Sequence, residues 1–190
     1  MNMNKNLIAA VLATVAMGSM VSTANAANQG SGSVTFTGSI IVAPCSIAPE
    51  SVDQTVNLGS VANKALMKGG KSSPQNFNIK LQGCDLDGLA NNTVTATFTG
   101  AASKANASNL GLNGTASGAS IVLTQGGTAI KLGEATTATK VAEGNNTLSF
   151  AAYLQGDPAT TAAVGTTPAV YPSIVAGDFK SVANFTLAYQ

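Results

Sequence analysis

Residues 178–190 read DFKSVANFTLAYQ. Ala183, Phe185, Leu187 and Tyr189 share one face of that stretch, and Asn184, Thr186 and Ala188 share the other. Alternation with a period of two marks a half-buried strand. This one runs almost to the last residue. Chain ends are ordinarily frayed and polar, so an apolar face at this end predicts a C-terminus built into a core. The same pattern recurs upstream. Residues 33–43 (SVTFTGSIIVA) alternate and then become a β-branched run; residues 54–58 (QTVNL), 75–81 (QNFNIKL) and 93–99 (TVTATFT) alternate; residues 120–124 and 146–154 follow. Gly69-Gly70, Gly83, Asn91-Asn92, 111–118, Gly126-Gly127, 144–146 and 156–158 supply turn residues between them. The only helical candidate is a turn or two at 61–68. Residues 101–120, small and polar, read as a surface loop. Many short strands between turns predict an all-β sandwich.

Composition narrows the function. The chain has 190 residues, room for one domain of ordinary size. It has nine Lys, no Arg, eight Asp plus Glu, no His and no Trp; charged residues make up 9%, against about 25% in a typical domain. A nucleic-acid partner requires a positive field to engage phosphates, and none is present. Without His there is no imidazole catalysis and no His metal site. No cofactor and no metal is expected, and no nucleophile–base pair points to an enzyme. A hydrophobic fraction of 45% argues against disorder.

Residues 1–26 read as a secretory signal peptide. Lys5 supplies the basic start, residues 7–17 the apolar run, and Ala24-Asn25-Ala26 a small-x-small cleavage site, so the mature chain is expected to begin at Ala27. The apolar run is shorter than the ~20 residues a bilayer span needs. Loss of Lys5 leaves eight Lys against eight acids, a net charge of zero. Export carries Cys45 and Cys84 into an oxidising compartment, where one disulfide is the expected outcome. In the chain-entropy account, closing a loop of this size contributes roughly 4 kcal/mol. The alternatives are two buried free thiols, or a metal site short of its four ligands.

Three further patterns bear on function. Gly69-Gly70-Lys71-Ser72 has the end of a phosphate-binding loop, but the first Gly of that motif falls on Ala65, without a strand–helix context. Asp85 and Asp87 could form a carboxylate pair or part of a calcium site; in a turn before Gly88 a solvated loop is the simpler reading. The N-x-[ST] triplets, such as Asn106-Ala107-Ser108, arise freely in so Asn/Ser/Thr-rich a chain.

The two ends of the chain, read in order, resemble the pilin subunits of the chaperone–usher pathway, in particular the major subunits of type 1 and P fimbriae. The matching fragments are GSVTFTGSIIVAPC leading into Cys45, SVDQTVNLG at 51–59, FNIKLQGCD at 77–85 around Cys84, and SVANFTLAYQ with its penultimate Tyr189. Gly177, fourteenth from the C-terminus, stands where that family has its characteristic Gly. The resemblance implies an immunoglobulin-like β-sandwich lacking its last strand and completed by donor-strand exchange. It divides the chain into a signal peptide at 1–26, a donor arm at 27–38 and a pilin domain at 39–190. In the arm, Val34 and Phe36 would enter groove pockets, and Gly30 and Gly32 would lie where a large side chain does not fit. The groove edge and chaperone contact would be Gly177, Ala183, Phe185, Leu187, Tyr189 and Gln190, with the terminal carboxylate as the chaperone's anchor. Implied partners are neighbouring subunits in a head-to-tail polymer, a periplasmic chaperone and an outer-membrane usher. The implied destination, through the periplasm, is a surface fimbrium that supports adhesion. The second reading is a minor adaptor or a carbohydrate-binding fimbrial subunit. Against a lectin-bearing tip subunit, Cys45 follows Ala27 by only 18 residues, and no Trp offers a sugar platform.

Overall fold

The computed structural model describes residues 31–190. The proposed signal peptide and Gly30 lie outside them. The chain divides between Ile40 and Ile41.

Residues 31–40 carry no helix or strand, and every one is exposed. The alternation at 33–43 predicted a strand there; no ladder forms. Val34 is 77% exposed, Phe36 88%, and Ile40 fully.

The body contains β1 (Ser46–Ile47), α1 (Pro49–Val52), α2 (Asn63–Leu66), a 3-10 turn (Met67–Gly69), β2 (Gln75–Cys84), β3 (Thr93–Gly100), β4 (Asn113–Gly114), β5 (Ala119–Gln125), β6 (Thr128–Ile130), β7 (Thr139–Lys140), β8 (Gly144–Gly156), β9 (Phe179–Lys180) and β10 (Ala183–Tyr189). One sheet has the order β1-β2-β8-β5-β6 and the second β10-β3-β7; β4 and β9 pair separately. All these pairings are antiparallel. The result is the all-β sandwich the alternation predicted. Ile79 and Leu81 of β2, Ile121 and Leu123 of β5, and Leu148, Phe150 and Leu154 of β8 face Val94, Ala96 and Phe98 of β3 across one core. Four aromatics bind its centre. Phe98 meets Phe150 edge-on at 5.1 Å, Phe77 stacks on Phe150 at 5.6 Å, and Phe98 lies 6.3 Å from Phe185.

Turn chemistry explains the punctuation. Gly126 and Gly127 both have positive φ, 56° and 84°, and they join β5 to β6 in a two-residue hairpin that demands that conformation. Cys45 and Cys84 are joined in a disulfide, which ties the segment entering β1 to the end of β2.

Four expectations need correction. Residues 54–58 form no ladder; Gln54 reaches β2 through its side chain, Nε2 donating to Asn78 O at 3.2 Å, and not through its backbone. The 61–68 candidate is α2 with its 3-10 turn, but it is not the only helix: Pro49 opens α1, a first-turn position where a missing N–H costs nothing. The C-terminal stretch breaks at Ser181-Val182 into β9 and β10. Residues 101–120 are more than a surface loop, since Leu110 is buried and exchanges two backbone hydrogen bonds with Ile121, and Asn109 Nδ2 donates to Ser120 Oγ at 3.0 Å.

Candidate functional site

β10 is the last strand of its sheet, and its outer edge has no neighbour among the described residues. The register says which groups that edge presents. Thr93 and Gln190 exchange backbone hydrogen bonds at 3.0 and 2.9 Å, and Asn184, Thr186 and Ala188 face Thr99, Thr97 and Thr95. Hydrogen-bonded and non-bonded pairs alternate in an antiparallel ladder. The N–H and C=O groups of Ala183, Phe185, Leu187 and Tyr189 therefore point away from β3, into open space. The same four residues turn their side chains inward.

Those side chains are incompletely covered. Phe185 pairs with Phe98, Leu187 with Ala96 and Tyr189 with Val94. On β3 the three partners are 2%, 1% and 1% exposed, whereas on β10 all three remain half-buried. Two neighbouring strands of one sheet, facing one core, differ because β3 has a strand on each side and β10 has one. Beside β10 lies a cleft of about 490 Å³ whose floor includes Phe77, Phe98, Leu110, Ile121 and Leu123. Its far wall is residues 52–56 with Leu58, which overlaps the 54–58 stretch expected to be a strand. A cleft of about 760 Å³ continues past Leu66, Ile174 and Phe179 towards Gly177 and Ser181. The unpaired outer edge of β10 and the ladder-free backbone of 52–58 thus flank a floor of core side chains. The gap is strand-shaped, and unpaired polar edges beside exposed apolar surface favour pairing with another strand.

Local chemistry fits this. Tyr189 Oη and Ser181 Oγ are buried and have no hydrogen-bond partner among the described residues, and burial pushes the Tyr189 phenol above its usual range. Gly177 sits against residues 115–116: a Cβ there would come within 2.7 Å of Ala116 N. This glycine is required by close approach and not by its φ. Gln190 is pinned to Thr93, which fixes the chain end at the close of the ladder.

The predicted site residues thus fall in two places. Gly177, Ala183 and Phe185 line the two clefts, and Leu187, Tyr189 and Gln190 continue the open-edged C-terminal strand and its end beyond them. Gly32, Val34 and Phe36 lie on the exposed segment that precedes Ile41. Sequence reading missed the cleft floor, because Phe77 and Phe98 looked like ordinary core positions. It also stopped the apolar stripe too early. Gly32, Val34, Phe36, Gly38 and Ile40 fall at period-two positions in the sequence, and Ile40 is exposed like the rest of 31–40. The weighed alternatives are placed as turns. Asp87 N–H donates to Asp85 Oδ1 at 3.1 Å, and both residues are exposed. Gly69 has φ 75° in the turn after α2.

Comparison with known proteins places this open-edged β-sandwich among the structural subunits of fimbriae. Residues 34–190 match the family model described as fimbrial protein. The chain is 54% identical to the fimbria A protein of Serratia marcescens over the whole of both sequences. It is 42% identical to the major MR/P fimbria protein of Proteus mirabilis, over 99% of this chain and 100% of that one. Among solved structures it resembles a subunit of a chaperone–usher pilus studied for rod uncoiling, with a TM-score of 0.70 and 34% identity over 85% of this chain and 97% of that one. The chain belongs to the fimbrial protein family.

Proposed function

We propose that this chain is a major shaft subunit of a chaperone–usher fimbria, exported to the periplasm by residues 1–26 and polymerised head to tail by donor-strand exchange. It acts by assembly and not by chemistry. The observation that carries this reading is a matched deficit and surplus. The body lacks one strand along β10, and the segment before it carries an exposed period-two apolar stripe. The arm and the cleft are different patches of one molecule, so their contact is heterologous and builds an open filament. Every strand pairing in the body is antiparallel, so the incoming arm runs antiparallel to β10. Val34, Phe36 and Ile40 then enter the cleft, with Gly32 and Gly38 at its narrow positions and Gly30 continuing the face. Strand addition of this kind combines main-chain hydrogen bonds with pockets for alternate side chains.

Before a neighbour arrives, a periplasmic chaperone would occupy the same cleft and hold the Gln190 carboxylate, and an outer-membrane usher would pass the subunit to the surface, where the fibre supports adhesion. The test is deletion of 27–38. The shortened subunit should still be recovered bound to chaperone and should fail to enter fibres. Normal polymerisation of that variant would overturn the proposal.

A further inference from the structure

The mature chain is neutral, but its unpaired charges are not evenly spread. β8 has 13 residues, and at about 3.3 Å per residue it spans roughly 40 Å. At its Gly144 end lie Asp85, Asp87 and Glu143. Cys84 pairs with Gly144 there, and Glu143 Oε1 accepts from Leu86 N–H at 3.0 Å. The Gln190 carboxylate joins them through the Thr93 ladder, because Asn92, beside Thr93, bonds to Val141. Among the described residues Lys140 is the one cation there, its Nζ 3.3 Å from Asn91 O. At the Gly156 end lie Lys64 and Lys68, beside Gly156 through α2 and its turn, and Lys71, bridged to Gln155. Lys104 and Lys180 line one cleft with Asp157 there; Asp178 is nearby on the same rim. Of the remaining charges, Lys80–Glu50 and Lys131–Glu134 cancel as surface pairs, both at 3.4 Å, and Asp53 lines the 490 Å³ cleft together with Lys180.

We infer that the two poles are complementary docking faces, the acidic disulfide pole of one copy seating on the basic Gly156 pole of the next. This rests on the donor-strand reading above, which fixes the geometry. An arm antiparallel to β10 leaves the cleft beside Ala183, at the basic pole. The body that follows the arm begins at Ile41 and reaches Cys45, whose disulfide and the Pro44 carbonyl bond to Asp85 N–H place that end at the acidic pole. The donor's acidic end is thus delivered to the acceptor's basic end. Opposite fields on approaching faces steer encounter and raise association rates by ten- to a thousandfold, and salt removes the gain.

The test measures polymerisation rate from chaperone-bound subunits at low and at physiological salt. Lys64→Glu with Lys104→Glu alters two exposed cations away from the cleft floor. Asp85→Asn with Asp87→Lys alters the other face and keeps an acceptor for the Asp87 N–H bond. Each pair should slow assembly about tenfold at low salt and little at high salt. Mixing a basic-pole variant as acceptor with an acidic-pole variant as donor should restore much of the rate. Unchanged rates at low salt for both pairs would overturn the inference and leave the arm reading intact. A variant lacking 31–40 that still polymerises would instead overturn the arm reading itself. Circular dichroism of the chaperone complexes shows that each variant is folded.

Discussion

Phe36 offers a quantitative test of strand acceptance. In a variant whose own residues 28–42 are appended after Gln190 through a short flexible linker, the added segment can turn back antiparallel along β10. On the proposed reading, the period-two stripe would bring Phe36 to the cleft lined by Phe77, Phe98 and Phe185 and turn Thr35 to solvent. Phe36, 88% exposed where it now stands, would become a core side chain. Truncating a buried Phe to Ala typically costs about 3–5 kcal/mol. In a domain of this size each kcal/mol moves the melting temperature by roughly 2–4 °C, so Phe36→Ala in the appended strand should lower it by about 6–20 °C. Thr35→Ala, on the solvent face, should stay within about 0.5 kcal/mol. The assay is thermal unfolding by circular dichroism, with the unappended body as the lower reference. Equal losses for the two variants would refute the face assignment. No gain from the appended strand would refute the cleft as its receptor.

Removal of the disulfide by Cys45→Ser should cost about 2–5 kcal/mol and cut periplasmic yield sharply; reductant added to the wild-type protein should reproduce the loss of stability in denaturant titration. Gly177→Ala should destabilise by about 1–3 kcal/mol, because the new methyl meets Ala116 N, and the melting temperature reports it. Burial raises the Asp157 carboxyl above its usual value against the opposing Ser120 hydrogen bond. A raised acid favours the fold when protonated: its contribution is complete below the ordinary carboxyl value and is lost as pH climbs through the folded one. Asp157→Asn should therefore flatten the fall in melting temperature across that acidic window, and a parallel fall in both proteins would contradict the assignment.

How far the sequence foretold this follows from which interactions are local. The alternation in 75–81, 93–99 and 183–189 announced strands correctly because each packs one face on the core, so burial imposes the period. The segments at 33–43 and 54–58 carry the same signal and form no ladder. Pattern records the face a strand is meant to bury, and it is silent on whether the partner lies in the same chain. β4 and β7, two residues each, were illegible because they are held by distant partners and not by their own composition. Asn113-Gly114 reads as a turn until Phe179 and Lys180 are placed beside it. Of the site, the rim was legible in Phe185, Leu187 and Tyr189; the floor was not, since Phe77 and Phe98 look alike whether a core is closed or open.

A protein with an open core must survive until that core is filled, and the arrangement of its contacts shows how this body does so. The deficit is confined to one edge. Ile79, Leu81, Val94, Ala96 and Phe98 are as buried as in a complete domain, while the shortfall falls on Phe185, Leu187 and Tyr189. Phe185 still leans on Phe98, so β10 is held by its ladder and by one aromatic contact rather than by full enclosure. Strengthening that edge in isolation, for example by larger apolar residues on β10, would stabilise the free subunit but fill the space an incoming strand requires. The half-buried face is therefore best understood as a balance. It holds the C-terminal strand in register, and it leaves apolar surface uncovered, which the proposed donor strand of another copy would gain by covering.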